Sequence, residues 1–294
     1  MITGFAIILD EEVLYVSNSN KYPSFEIVLF VEKLISSLNP KNNWRLTDIY
    51  FESETGKERM ITKQIVTENN QNLFYCITGD FPSSSKEVSK LMGEYIDKVT
   101  ANYETAEKIK KVSNHSEFSK VIKLITGYLW DKYRDPIEDE IIDIECSDTK
   151  NKIIYCGISA QGLPIISQLY DKTLLNNFHR EITDENIELF SSSISAKLAT
   201  IIMNTQIRAK TNLKEVHFND LGDHGCKKII ICSPINEYSL DFIASGDFIK
   251  IKEIFKQLEE NISQEQILKN EFLGDLKPFR SLKTQLNEFL NNNF

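Results

Sequence analysis

The sequence lacks any long apolar run. A helix that spans a membrane needs roughly 20 consecutive apolar residues, and even the stretch from Phe25 to Val31 is interrupted by Glu26. The segment from Met1 to Leu9 has no basic residue and is followed by three acidic residues, a pattern that predicts a strand and a turn rather than a secretory signal. We therefore expect a cytoplasmic protein that is at most peripherally associated with membranes.

The sequence also lacks the glycine and cysteine motifs of common cofactor and metal sites. Its 11 glycines form no GxGxxG, GxxxxGK[ST] or GxSxG motif, so nucleotide-binding loops and the nucleophile elbow of hydrolases are not indicated. The five cysteines include no CxxC pair, and Cys76, Cys156 and Cys232 lie in apolar runs where a free thiol behaves as a small hydrophobic residue. We expect no cofactor and no enzymatic activity.

Basic residues are outnumbered by acidic ones. The chain has 34 lysines and arginines against 43 aspartates and glutamates, and its formal net charge is −9. Such a charge disfavours nucleic acid as a partner. The 294 residues, of which 41% are hydrophobic, are enough for two folded domains with cores of their own.

One order of predicted elements is present twice. Short apolar runs between turn residues predict strands, and apolar residues at helical spacing predict helices. The first half is predicted to contain a hairpin within residues 4–16, a helix from Ser24 to Leu38, three strands between residues 46 and 78, and helices after residue 84 and from Phe118 to Tyr133. The second half is predicted to contain a hairpin within residues 152–169, a helix from Thr183 to Gln206, three strands between residues 213 and 244, a helix at 248–262, and helical segments beyond residue 263.

A short shared motif supports this comparison of the two halves. The last of the three strands ends in Thr78-Gly79-Asp80-Phe81 in the first half and in Ser245-Gly246-Asp247-Phe248 in the second. Glycine frees the backbone at such an exit, and aspartate can accept hydrogen bonds from the first amide groups of a helix. We interpret the chain as a tandem duplication, with domain 1 at residues 1–135, an acidic linker at 136–150, and domain 2 at 151–294, which ends in an amphipathic helix.

The order β-β-α-β-β-β-α-α in both halves resembles the longin fold. The hairpin from Gly4 to Val16 with the helix from Ser24 carries the resemblance in the first half. The hairpin from Ile153 to Leu169 with the helix from Thr183 carries it in the second. The resemblance implies an α/β (α+β) protein of two longin-like domains, each with a five-stranded, antiparallel-rich sheet on which helices pack.

Longin and roadblock domains occur in trafficking SNAREs, adaptor small subunits, TRAPP subunits and the paired subunits of GTPase exchange factors. The resemblance implies a non-enzymatic interaction platform, as in vesicle trafficking, that binds or regulates a small GTPase or assembles with other longin or roadblock chains, a second copy of itself (a homodimer) included. One alternative is a self-assembling structural module without a GTPase partner. A second is a metal-dependent enzyme, and a third is a small-molecule sensor of the PAS or GAF type, which would need a roomy pocket between helices and sheet.

Two helices carry apolar residues that are candidates for partner contacts. The helix from Ser24 is apolar on more than one side, so its second face, with Ile27, Phe30, Val31 and Leu34, needs a cover from the same chain or from a partner. The C-terminal helix places Phe279, Leu282 and Leu286 on one face. This face is expected to dock either on its own domain or in the groove of a partner.

The segment of residues 217–226 is the part of the sequence that most resembles an enzyme site. Its candidate metal ligands are His217, Asp223, His224 and Cys226. However, its spacing matches no zinc pattern, and residues 220–225 have the aspartate and glycine content of an ordinary hairpin turn. We therefore predict no metal here, and keep the metal-dependent enzyme as an alternative.

Overall fold

The structure is a computed structural model that describes residues 1–39, 41, 43–54, 56–67, 69–82, 85–137, 150–178, 181–221 and 226–294, except for the side chain of Cys226. The first half of the chain contains β1 (Ile2–Leu9), β2 (Glu12–Val16), α1 (Tyr22–Leu38), β3 (Trp44–Ser53), β4 (Gly56–Val66), β5 (Asn72–Gly79), α2 (Lys86–Tyr103), α3 (Ala106–Val112) and α4 (Ser116–Lys132). The second half contains β6 (Lys152–Ala160), β7 (Leu163–Leu169), α5 (Asp184–Ile207), β8 (Asn212–Asp220), β9 (Cys226–Ile235), β10 (Tyr238–Ser245), α6 (Phe248–Ser263) and α7 (Arg280–Asn293).

The described residues form two compact units. Unit 1 consists of those within 1–29, 46–144 and 208–211, and unit 2 of those within 30–45, 145–207 and 212–294. Most of the predicted linker at residues 136–150 lies outside the described residues. The predicted domain boundaries therefore stay a prediction.

The ten strands form one sheet, in the order β2-β1-β5-β4-β3-β8-β9-β10-β6-β7. The prediction of a separate five-stranded sheet in each half is therefore wrong. An edge strand has unpaired N–H and C=O groups that can pair with a further strand, and such pairing leaves the alternation of apolar and polar residues unchanged. The sequence pattern for this reason predicts the strands but not which of their edges are paired.

The two halves nevertheless repeat one strand order. It is β2-β1-β5-β4-β3 in the first half and β7-β6-β10-β9-β8 in the second, so each strand has the same neighbours as its counterpart within its half. In both halves the first strand pairs antiparallel with the second and with the fifth. The repeat that the sequence pattern predicts is therefore present in the strand order.

Each unit has a core on one side of its strands. In unit 1, the core joins β1 and β5 to α2, α3 and α4, with Phe5, Tyr75, Tyr95, Phe118 and Ile122 among its fully buried residues. In unit 2, the core joins β6 and β10 to α6 and α7, with Leu240, Leu258, Leu282, Leu286 and Leu290 among its fully buried residues. The buried residues of α2, α4 and α6 recur at helical spacing, which explains why these helices are predictable from the sequence.

The shared exit motif leads to a helix cap in only one of the two halves. The Asp247 side chain accepts a hydrogen bond of 2.9 Å from the Ile249 amide and caps α6. In unit 1, Asp80 is exposed, Pro82 lies two residues beyond it, and α2 begins later, with Ser85 as its cap. The prediction that both aspartates can cap a helix therefore applies to Asp247 only.

Three further helical segments differ from their predictions. Helix α1 begins at Tyr22, two residues before the predicted Ser24, because Pro23 is well suited to the first turn of a helix. The short helix α3 is an addition to the predicted order. The helix predicted to start directly after Ser263 is a short 3-10 turn, Gln266–Lys269, and the next α-helix is α7.

Candidate functional site

The predicted partner contacts on α1 are mostly buried. Ile27, Val31 and Leu34 each have at most 1% of their surface exposed, and Phe30 is half-buried. A partner can reach the three buried side chains only after α1 has moved. Their role in partner binding stays a prediction.

The predicted partner contacts near the C-terminal helix lie in the core of unit 2. Phe279, Leu282 and Leu286 are all buried there. The Phe279 ring packs against the Tyr238 ring, with 5.8 Å between their centroids. These residues therefore dock on their own unit, and their capture by a partner stays a prediction.

Of the four candidate metal ligands, only the side chain of His217 is described. Asp223 and His224 lie outside the described residues, and so does the side chain of Cys226. His217 is buried, and its Nε2 lies 2.7 Å from Oε2 of Glu215. Among the residues whose positions are described, no group of three or more histidine, cysteine, aspartate or glutamate side chains is arranged to hold a metal ion.

His217 belongs to a small charged cluster on β8. Burial raises the pKa of Glu215, but His217 and Lys252 outweigh burial and lower it to about 2. The Lys252 ammonium lies 2.7 Å from the same carboxylate oxygen that His217 contacts. The His217 ring also packs edge-on against Phe248, at 4.9 Å between centroids. Packing and ion pairing therefore account for the position of His217 in unit 2.

Helix α4 of unit 1 presents an apolar and basic surface to solvent, which we call the α4 face. Leu124 is 74% exposed and Tyr128 is 48% exposed, and their spacing of four residues places them side by side. The Lys98 and Lys132 ammonium groups lie 4.3 Å and 5.7 Å from the centre of the Tyr128 ring. Lys120, one turn before Leu124, is exposed as well. Glu94 pairs with both ammonium groups, at 2.7 Å from Lys132 and 3.8 Å from Lys98, and offsets one of their two charges. With Lys120, the α4 face still combines apolar contact area with a positive charge.

Unit 2 contains a cleft of about 430 Å³ between α5 and the sheet, which we call the α5 cleft. Its rim is formed by exposed residues of α5, the β6–β7 turn, the end of β9 and the β9–β10 turn: Gln161, Met203, Gln206, Ile207, Pro234, Asn236 and Glu237. Its floor and walls include the buried residues Ser159, Ala199, Ile202, Leu213, Cys232 and Tyr238, together with the half-buried Ser239. The volume lies within the ~300–1,000 Å³ range of small-molecule sites.

A buried carboxyl group supports the floor of the α5 cleft. Asp241 on β10 has no exposed surface. Ser239 Oγ donates a hydrogen bond of 2.7 Å to its Oδ1, and Ser159 Oγ donates one of 3.4 Å to its Oδ2. Burial raises the pKa of Asp241 to about 6, although hydrogen bonds from Ser239, Ser159 and Cys232 lower it.

A second pair of polar groups is buried near Asp241. The hydroxyl groups of Tyr155 on β6 and Ser195 on α5 are enclosed, and no described residue completes a hydrogen bond of standard geometry to either. Ser195 and Ser167 are nevertheless close enough to the Tyr155 hydroxyl to lower its pKa. Burial raises the pKa of Tyr155, and the charge of Asp241 raises it further. A side chain at Gly157 would overlap the Tyr155 hydroxyl and lie 2.8 Å from the Ile166 carbonyl oxygen. Glycine at position 157 thus makes room for the buried tyrosine.

The sequence contains a signal of this polar layer that belongs to no known motif. Asp241 stands in the middle of an otherwise apolar strand, and a charged residue there is rarely buried without partners. The partners Ser159 and Cys232 lie on other strands, so only the fold brings them to Asp241.

Comparison with known proteins adds no family assignment. No protein-family model matches the sequence, and no curated protein matches it either. Within the described ranges, no helix is long and apolar enough to cross a membrane.

Proposed function

We propose that this protein is a non-enzymatic, cytoplasmic interaction platform that binds or regulates a small GTPase or assembles with another longin or roadblock chain. The observation that best supports this proposal is the strand order that both halves share, with helices packed on the strands of each unit. Proteins with the longin pattern supply the analogy that leads from this fold to an interaction function.

The α4 face is the surface that we assign to the partner. Leu124 and Tyr128 supply apolar area, and a tyrosine ring is a rigid anchor that loses little conformational entropy on binding. The neighbouring lysines favour a partner with acidic groups beside an apolar patch. The opposite side of α4 is fixed in the unit 1 core by Phe118 and Ile122, so the face is presented on a stable helix.

The proposal is tested by titrating the full chain against purified small GTPases, in their GDP and GTP-analogue forms, and against purified longin and roadblock proteins from the same organism. We expect saturable binding to at least one of these proteins. A double variant, Leu124→Ser with Tyr128→Ser, should weaken this binding by about tenfold or more, since hot-spot residues commonly contribute 1.4 kcal/mol or more. Release of fluorescent GDP from a bound GTPase then distinguishes nucleotide exchange from tethering.

Ile249→Ser is the matched control, because Ile249 is 73% exposed on α6 of unit 2 and lies outside the α4 face. It should leave binding unchanged. If none of the tested GTPases and none of the longin or roadblock chains binds, the proposal is wrong. Concentration-dependent self-association by light scattering would in that case support the alternative of a structural module. If a partner binds equally well to the double variant, the assignment of the α4 face is wrong.

A further inference from the structure

We propose that unit 2 binds a small organic amine in the α5 cleft, with the Ser159 and Ser239 hydroxyl oxygens accepting hydrogen bonds from its ammonium group. This inference goes beyond the interaction platform and does not depend on it. It concerns a different surface and a different class of ligand.

The serine hydroxyl groups define the polarity of the cleft floor. Both Ser159 and Ser239 donate their hydroxyl hydrogen to the Asp241 carboxylate. A hydroxyl group that has donated its only hydrogen has lone pairs left, and can therefore only accept from a further partner. Since both serines also line the cleft, the floor presents hydrogen-bond acceptors and favours a ligand that carries N–H donors.

The charges around the cleft favour a cation. Glu237 lies on the rim and Asp241 lies below the floor, and these two carboxylates outnumber the ammonium of Lys214, which lies near Cys232 but does not line the cleft. Among the described residues that line the cleft there is no lysine, arginine or histidine. An ammonium group that reaches the floor would be close to a buried carboxylate, where a charge interaction is screened less than it is in water.

The remaining lining is apolar, so the ligand should also carry an apolar body. Ile202 and Leu213 on the walls and Met203, Pro234 and Ile207 at the rim provide this surface. A ligand that fills the cleft therefore has its ammonium group at one end and an aliphatic or aromatic group at the other. This division between a few polar contacts and an apolar lining is typical of small-molecule sites.

Binding should depend on pH through Asp241. The titratable groups near this carboxyl are Tyr155 and Cys156 on β6 and Cys232 on β9, and Lys214 on β8 lies near Cys232. Burial raises the pKa of the tyrosine and of both thiols, so these three groups stay neutral between pH 5 and pH 8. Asp241 is the group whose charge changes in this range, because burial raises its pKa to about 6. Protonated Asp241 can donate to a serine, which removes acceptor capacity and negative charge from the floor.

The experiment measures the binding of cyclohexylmethylamine to the full chain by calorimetry and by nitrogen-15 NMR, with cyclohexylmethanol as the uncharged probe of similar shape. At pH 8 the amine should bind about tenfold or more tightly than the alcohol. Its affinity should fall several-fold at pH 5, where the amine remains protonated and the carboxyl group does not remain charged. Amide signals of Gln161, Asn212 and Asn236, which line the cleft, should shift on binding.

Three variants separate the proposal from a general electrostatic effect. Asp241→Asn should reduce amine affinity at pH 8 and remove its pH dependence. Met203→Trp should weaken the binding of both probes by filling the exposed rim, without changing a buried residue. Glu253→Gln removes an exposed carboxylate from α6 of the same unit, and it should change neither the affinity for the amine nor the pH dependence of that affinity.

Equal affinity for the amine and the alcohol, or no saturable binding of the amine up to millimolar concentration, would overturn the proposal. So would NMR shifts that lie away from the cleft. If Asp241→Asn does not fold, the Met203→Trp variant and the pH series of the unaltered protein still test whether the amine binds in the α5 cleft. Because no GTPase or other protein takes part, failure here leaves the platform proposal untouched, and failure of the platform leaves this one untouched.

Discussion

The two halves of the chain use the same strand order, but they place different chemistry at equivalent positions. Counted from the shared Gly-Asp-Phe motif, Phe74 on β5 corresponds to Asp241 on β10. Phe74 lies opposite Ile8 on β1, and Asp241 lies opposite Gly157 on β6. All four positions lie in closely packed strands, so one unit has an apolar pair where the other has a carboxyl group facing a glycine. The strand order therefore tolerates either chemistry, provided that a buried polar group has its donors.

The largest effect is expected from exchanging this chemistry in unit 1. Phe74→Asp would bury a carboxylate opposite the apolar Ile8 on β1, whereas Asp241 lies opposite Gly157 and accepts hydrogen bonds from two serines. The polar side chain paired with position 74 is Gln64 on β4. We expect unit 1 to lose about 4 kcal/mol or more of its free energy of unfolding. The measurement is urea unfolding followed by the fluorescence of Trp130, which lies in unit 1, in a Trp44→Phe background.

Phe74→Leu is the control for this variant, because it keeps the site apolar and should cost roughly 1–2 kcal/mol. Should Phe74→Asp be no more destabilising than Phe74→Leu, the two units would not differ in the way the structure indicates.

A smaller effect, and one that depends on pH, is expected from Asp241→Asn in unit 2. The pKa of Asp241 rises from 3.8 to about 6 on folding, so the folded state holds the proton more tightly. Stability from this group is therefore fully present below about pH 4 and is lost as the pH rises through about 6. A pKa difference of about 2 corresponds to about 3 kcal/mol. The effect of Asp241→Asn on the free energy of unfolding of unit 2 should therefore be more favourable at pH 8 than at pH 4, by up to that amount.

The measurement is unfolding of unit 2 between pH 4 and pH 8, followed by the fluorescence of Trp44 in a Trp130→Phe background. Glu253→Gln, the exposed carboxylate on α6, provides the comparison. The prediction that folding raises the pKa of Asp241 would be contradicted if Asp241→Asn and the unaltered chain differed in stability by the same amount at every pH from 4 to 8.

The smallest effect concerns the shared exit motif. Asp247→Ala removes the cap of α6 and should cost about 1 kcal/mol, since the Ile249 amide loses its partner. Asp80→Ala alters the equivalent residue of unit 1, which is exposed and does not cap α2, and should cost less than half as much. Thermal unfolding of both variants measures the two losses of stability. If these losses were equal, the two motifs would play the same role.

The sequence predicts the elements of the fold better than their assembly. Strands such as β5 and β10 and helices such as α4 follow from apolar periodicity, which is a local property. The single sheet does not follow from it, because the pairing of a strand edge depends on backbone groups that all residues except proline share. The short helix α3 has only seven residues, too few for a clear periodic signal.

The polar layer of unit 2 could be predicted only in part. Asp241 is visible as a charge inside an apolar strand, and Gly157 as a glycine in another. That the two lie opposite each other depends on the pairing of β6 with β10, two strands far apart in the sequence. The same pairing places them beneath a cleft that also brings Ser159 and Cys232 together. Which residues meet in these contacts depends on the strand order, and the apolar periodicity of the sequence does not determine that order.

The location of the core residues along the chain has a consequence for folding during synthesis. The core of unit 1 is supplied by residues up to Ile137, whereas that of unit 2 includes Leu290 on α7. The ribosome therefore releases every residue of the first core before it has made half of the second. We expect nascent chains to acquire protease resistance in unit 1 first. The strands of unit 2 cannot complete their core before α7 is synthesised, so until then they are exposed to aggregation.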